Sequence, residues 1–153
     1  MDKVSLYIKD NWRKTFHPAN ELSGDVKKDN WRKTFHHANE LSGDIKIDYP
    51  YVSPCAADHY TDLYYWDTYF INIGLILDGY TDQARYNIDN ISKFINALGF
   101  MPNVNYIRDR SQPPLFTKMV YDYYKYTGDI SVVKDYIGTI LKEYEFWQIR
   151  RKN

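Results

Sequence analysis

The string Tyr64-Tyr65-Trp66-Asp67 sets an indole and a carboxylate side by side. On a helix such neighbours point about 100° apart. The Asp could then accept hydrogen bonds from ligand hydroxyls while the Trp offers a flat apolar face. The same pair also fits a core Trp followed by a solvated Asp in a first helical turn, where the helix dipole favours a carboxylate. A second group is Pro102-Asn103-Val104-Asn105 with Arg110-Ser111-Gln112-Pro113-Pro114. Its amides, hydroxyl and guanidinium are the fixed-geometry donors and acceptors that recognise a neutral polyol. Arg110 also suits bidentate contact with a carboxylate. A surface loop rich in turn formers would read the same way. His59 could be a ligand, a base or a donor. No second His or Cys stands at metal-ligand spacing from it, and the adjacent His36-His37 pair is not a zinc pattern. Cys55 has no evident partner base for a nucleophilic role.

These residues need elements to hold them, and the periodicity from Asp62 onward is helical. Leu63–Asp78 carries Leu63, Trp66, Phe70, Ile73 and Leu77 on one stripe, with Gly79 suited to end it. Asp82–Leu98 follows, with Thr81 as N-cap candidate, a stripe of Ile88, Ile91, Phe94, Ile95 and Leu98, and Gly99 as stop. Phe100–Gln112 reads as a loop. Pro113–Thr127 reads as a third helix, since Pro is accepted in a first turn, and Gly128 ends it. Ile130 to Arg150 reads as a fourth, with a break expected near Gly138. Residues 1–16 read as another helix (Val4, Tyr7, Ile8, Trp12). Ile47–Tyr60 reads as an irregular, buried loop, because Pro50 and Pro54 push their predecessors toward extended backbone. No segment reads as a convincing strand. Short turns alternating with a longer connection suit a bundle or an α/α toroid whose long loops gather on one face.

The chain has 153 residues, the size of one ordinary domain, with 20 Lys+Arg against 20 Asp+Glu. A zero net charge argues against nucleic acid and anionic membrane as partners. One Cys excludes a disulfide framework. Without a signal-peptide core or an apolar stretch of ~18–20 residues, the expectation is a soluble cytoplasmic protein. Aromatic content is high, 18% with 16 Tyr, which suits a ring-shaped polar ligand or a core with wet edges.

Residues 1–48 contain a tandem repeat. Asp10–Lys27 and Asp29–Lys46 differ only at Pro18/His37 and Val26/Ile45. Two nearly identical copies read as a recent duplication, not as a solenoid, which needs about three diverged units. The expected division is 1–48, a helical segment holding the repeat, and 49–153, the domain with the candidate site.

Together these strings resemble the trehalase family of inverting glycoside hydrolases. Leu63–Phe70 with Gly74-Leu75 is similar to the family's helix signature. Gly99–Asn105, followed by Asp109–Leu115, is similar to its second block, in matching order and spacing. Tyr7-Ile8 with Trp12 and Thr15 loosely match the preceding helix, and Tyr49-Pro50-Tyr51-Val52 resembles the start of the first signature loop. The resemblance covers nearly the whole chain and is strongest over 60–128.

The resemblance implies an all-α fold, here a partial (α/α)6 toroid of antiparallel helix pairs, with a central sugar pocket and no cofactor or metal. Trp66, Asp67, Asn103, Arg110, Ser111 and Gln112 match the family's sugar-binding positions. His59 stands where the family has a substrate-contacting Arg, so an imidazole replaces a bidentate fork. Val104 replaces a usual Gly, and the loop from Asn103 to Arg110 is shorter. The implied ligand is therefore trehalose or a related α-glycoside. Inverting hydrolysis needs a general acid and a general base, and the family places both downstream of the Arg-Ser-Gln block. The expectation is an N-terminal fragment with binding residues but no catalytic pair, inactive by itself. A non-catalytic sugar-binding module and a helical interaction protein, self-associating through exposed apolar helix faces, are the alternatives.

Overall fold

The computed structural model describes residues 34–55 and 59–150. The helix expected over 1–16 and the first repeat copy lie outside the described residues. Four helices dominate: α1 (Tyr65–Leu77), α2 (Thr81–Leu98), α3 (Phe116–Thr127) and α4 (Ser131–Glu145). They form two hairpins, α1–α2 and α3–α4. Cross-links set their directions. Tyr65 and Tyr69 of α1 bond Phe116 and Asp122 of α3 in the same order along both helices. Arg85 and Asn96 of α2 do likewise with Asp135 and Thr139 of α4. The hairpins thus lie side by side with like helices parallel, an all-α arc of the toroid type.

The helix stops come from local chemistry. Gly99 and Gly128 end α2 and α3 in the left-handed region, at φ 88° and 73°, which a residue without Cβ adopts without penalty. The starts differ from the sequence expectation. Thr81 is the first helical residue, with Tyr80 at the N-cap and no side-chain cap. Helix α3 begins at Phe116, not Pro113, and Leu115 is its N-cap. Gly138 does not break α4, whose irregularity is a π turn at Phe146–Arg150.

The expectation of no strand is corrected by a small antiparallel pair, β1 (Phe35–His36) with β2 (Tyr51–Val52), in which Phe35 faces Val52 and His36 faces Tyr51. The loop expected to be irregular and buried does bury Tyr51, Val52 and Ser53. Its backbone polar groups need partners away from water. One polar stripe of α2, spaced i, i+4, i+7, supplies them. Asn87 Oδ1 accepts from Val52 N–H at 3.3 Å, Gln83 donates to the Pro50 carbonyl at 3.0 Å, and Asn90 Nδ2 donates to the Tyr49 carbonyl at 2.9 Å. Asn87 also donates to Asn72 Oδ1 at 2.8 Å, joining α1 to the same relay. Asn87→Ala would leave the buried Val52 N–H and Asn72 Oδ1 without these partners. It should lower stability by about 2 kcal/mol, read from the midpoint of urea unfolding. The apolar core lies between the hairpins, around Leu75, Ile88, Ile91, Phe94, Ile95, Phe116 and Met119, all at most 2% exposed.

Candidate functional site

The start of α1 is capped from a distance. Tyr64, its N-cap, makes no side-chain cap bond, so the first helical N–H groups need other acceptors. The loop between α2 and α3 provides them. Tyr65 N–H donates to the Asn103 carbonyl at 3.2 Å, and Trp66 N–H donates to Gln112 Oε1 at 2.7 Å. Gln112 also hydrogen-bonds the Asp67 carboxylate. One amide therefore holds the backbone of one site residue and the side chain of the next. Burial raises the Asp67 pKa above the ordinary carboxylate value, and the bond from Gln112 opposes that rise. Gln112→Ala should cost about 1 kcal/mol, as loss of a cap does. It should also push the Asp67 titration further up, a shift that carboxylate NMR would detect.

The loop is fixed at its other points as well. Asn103 N–H donates to the Arg110 carbonyl at 3.0 Å, closing the segment on itself. Ser111 Oγ donates to the Met101 carbonyl at 2.6 Å. Asn105 is buried and donates to the Ser42 carbonyl at 2.9 Å and Asp62 Oδ1 at 3.2 Å, while its Oδ1 accepts from Leu63 N–H at 3.3 Å.

Above this framework lies an open cleft of about 440 Å³, within the ~300–1,000 Å³ range of small-molecule sites. Trp66, Asp67, Asn103 and Gln112 line it, with Pro54, Cys55, Tyr60 and Tyr64 from the segment before α1. Trp66 is 44% exposed, set edge-on to Phe70. Tyr64 is bonded to Tyr106, and burial is the main cause that pushes its hydroxyl up to about 12, so it remains a neutral phenol. Tyr60 holds a left-handed φ of 60°, a conformation that costs a non-glycine residue roughly 1–2 kcal/mol.

The family model for trehalase matches residues 1–153. The chain belongs to the trehalase family. A trehalase of Bombyx mori is 38% identical over 90 residues, covering 58% of this chain and 16% of its own length. A periplasmic trehalase of Xanthomonas campestris is 38% identical over 103 residues, 66% of this chain and 18% of its own. A trehalase of Dictyostelium discoideum is 36% identical over 100 residues, 63% and 17%. The chain thus spans under a fifth of the length of these curated relatives.

Within this trehalase-family chain, four of the seven residues singled out from the sequence, Trp66, Asp67, Asn103 and Gln112, line one cleft. The other three do not line it. Arg110 forms an exposed ion pair with Asp109 at 3.0 Å, which raises its pKa and lowers that of Asp109. Ser111 spends its hydroxyl on the loop backbone. His59 is exposed and stands edge-on to Tyr60, centroids 5.2 Å apart. No group of His, Cys, Asp or Glu among the described residues is arranged to hold a metal.

Sequence reasoning quoted Tyr64 in the string before Trp66 without giving it a role, and it missed Tyr60 as a cleft residue. Aromatic content was the only signal, and it does not say which rings face a cavity. It also missed Glu143. This α4 carboxyl is 2% exposed and accepts from Tyr65 Oη at 2.5 Å, while the same Tyr oxygen accepts from Phe116 N–H at 2.8 Å. Burial raises the Glu143 pKa to about 7, against the lowering bond from Tyr65. Nothing in the local pattern of α4 marks a buried acid, because its partner is 78 positions away.

Proposed function

We propose that the cleft is part of the sugar-binding site of a trehalase-like inverting glycosidase, taking trehalose or a related α-glycoside. One observation carries this: an exposed indole, a carboxylate and two amides line one cleft, in a chain that the trehalase family model matches over residues 1–153. The Trp66 face would pack against the C–H surface of a pyranose ring. The ionised Asp67, an acceptor only, would take hydrogen bonds from two neighbouring hydroxyls. Arg110, Ser111 and His59 belong to the proposal as residues flanking the cleft. The periplasmic relatives are so by their own names, and a cytoplasmic site for this chain stays a proposal that rests on its composition.

Inverting hydrolysis uses two carboxyl groups roughly 6.5–9.5 Å apart. Asp67 is the one carboxylate among the described cleft residues, and one group cannot both protonate the leaving oxygen and activate water. The residues described therefore bind without completing the chemistry, and this chain should release no glucose from trehalose. Turnover abolished by Asp67→Ala would contradict that. Binding is the direct test. Calorimetry should show heat with trehalose, weakened roughly tenfold in Trp66→Ala and more in Asp67→Asn, where a charge-assisted acceptor is lost. No heat at millimolar sugar from folded protein would remove the proposal.

A helical interaction protein is the second reading. It is favoured by exposed apolar stripes, Trp66, Phe70 and Leu77 on α1 and Ile137, Leu141 and Tyr144 on α4. A monodisperse monomer on sizing chromatography would count against it.

A further inference from the structure

A line of four groups leads from β1 to the cleft. Glu40 Oε2 lies 3.1 Å from His36 Nδ1, and His36 Nε2 lies 2.9 Å from Ser53 Oγ. Ser53 Oγ in turn donates to the Cys55 carbonyl at 2.9 Å. Cys55 lines the cleft beside Pro54. Ser53 is 1% exposed, a place where water does not readily stand in for a missing partner. The His36 ring is set by the pairing of β1 with β2 and by its stack on Tyr51, with centroids 5.0 Å apart and planes 22° from parallel.

Hydrogens can be counted along this line. It has three links, and each link needs one hydrogen. Glu40 supplies none. The bond from the His37 N–H is the main cause that holds its pKa below the ordinary carboxylate value, with His36 adding to it, so it is an ionised acceptor. The Cys55 carbonyl is also an acceptor only. Ser53 has one hydrogen, a neutral imidazole has one, and an imidazolium has two. All three links therefore form together only when His36 is a cation. When His36 is neutral one link is lost, and Glu40 decides which. An Nε2–H tautomer would set the Nδ1 lone pair against a carboxylate at 3.1 Å. The Nδ1–H tautomer keeps that charge-assisted bond, and Nε2 becomes an acceptor. The Ser53 hydroxyl then turns to Nε2 and away from the Cys55 carbonyl. The Thr34 carbonyl is a poor alternative, since it lies 3.5 Å from Ser53 Oγ and already accepts from Ser53 N–H at 2.9 Å.

We propose that His36 is a positioning residue of the cleft: as a cation it completes the line and holds Cys55 through Ser53, and as a neutral ring it takes the Ser53 hydroxyl from Cys55. Histidine is the side chain that changes charge between about pH 5 and 8. The cleft wall at Cys55 is thus held on the acid side of that change and loosened on the alkaline side. The titratable groups facing His36 are Glu40, at the end of the turn Ala38–Glu40, and Tyr51 of β2, with His37 next in the chain. Burial is the main cause that raises the Tyr51 pKa, so that ring stays a neutral phenol. Helix α2 meets the β2 segment with the neutral amides Gln83, Asn87 and Asn90.

The chain has one cysteine, so cysteine labelled with carbon-13 at its carbonyl marks a single acceptor of this line. In the full chain that carbonyl signal should move with pH, at the midpoint read from the His36 ring carbons. It should not move at that midpoint in Ser53→Ala, where His36 still titrates but the link is gone, nor in His36→Gln. A parent signal that ignores the His36 titration, or a Ser53→Ala signal that follows it, would overturn the proposal. The consequence for a ligand rests on the sugar-binding reading of the cleft. The ratio of the trehalose dissociation constant at about pH 8 to that at about pH 5.5 should be about fivefold larger in the parent than in Ser53→Ala, the effect of one ordinary hydrogen bond. The comparison cancels the titration of Asp67, which both proteins share. Equal ratios would show that the bond to Cys55 does not position the cleft and would overturn the proposal. No trehalose binding by either protein, with the carbonyl signal still following His36, would count against the sugar reading alone and support the switch.

Discussion

Tyr65→Phe is expected to destabilise the folded chain by about 3 kcal/mol at pH 8. The substitution keeps the ring, which is fully buried, and removes one oxygen. That oxygen donates to Glu143 on α4 and accepts from Phe116 N–H at the start of α3. Both partners are buried, at 2% and 0% exposure. Without the hydroxyl, each loses this bond in a place where water does not replace it. Such losses cost about 1–3 kcal/mol per group, more where the acceptor is charged. The bond from Tyr65 lowers the Glu143 pKa, so its removal should raise that pKa further and let the acid protonate. The destabilisation should therefore be largest above pH 7 and smaller below pH 5. Thermal melts of both proteins at the two pH values measure it. An unchanged melting temperature at pH 8 would show that the bridge carries no net stability.

Glu143→Gln should act in the opposite direction. The folded-state pKa is about 7 against an ordinary value of 4.5. As pH rises, the unfolded chain gives up this proton first, near 4.5, and the folded chain only near 7. The contribution is fully present below about 4.5 and is lost as pH rises to about 7, after which it stays lost. The gap corresponds to about 3 kcal/mol. Gln keeps an acceptor for Tyr65 and carries no charge, so its stability should not fall across that window. Allowing for one buried amide N–H pair to satisfy, the variant should be about 2 kcal/mol more stable than the parent at pH 8 and no more stable at pH 4. Urea midpoints across pH 4–8 test this. Parallel curves for the two proteins would show that Glu143 is not the titrating group.

The Glu143 pair and the Gln112 cap show where sequence reasoning stopped. The four helices were legible because an α-helix is held by bonds from i to i+4. Its apolar stripe and its glycine stop are therefore written within a few residues of each other. Helix α2 was read to its last residue on that basis. The start of α3 was not. The two prolines satisfied the local rule for a first turn, yet the helix begins where Phe116 N–H meets a tyrosine hydroxyl 51 positions away. Strands β1 and β2 were invisible for a related reason. Two residues each are too few for an alternating pattern, and they exist because Gln83, Asn87 and Asn90 satisfy the buried backbone beside them.

The sequence by itself determined the all-α class, the glycine stops of α2 and α3, and the family. It also put Trp66 next to Asp67, an adjacency that no fold can undo. Only the tertiary structure decided that Gln112, 46 positions from Trp66, would cap α1 and grip Asp67, whereas its neighbours Arg110 and Ser111 would serve an exposed ion pair and the loop backbone. The physical reason is that a residue's type fixes which bonds it can make. Which bond it does make depends on the partner that the packing of two helix hairpins brings within 3 Å or so.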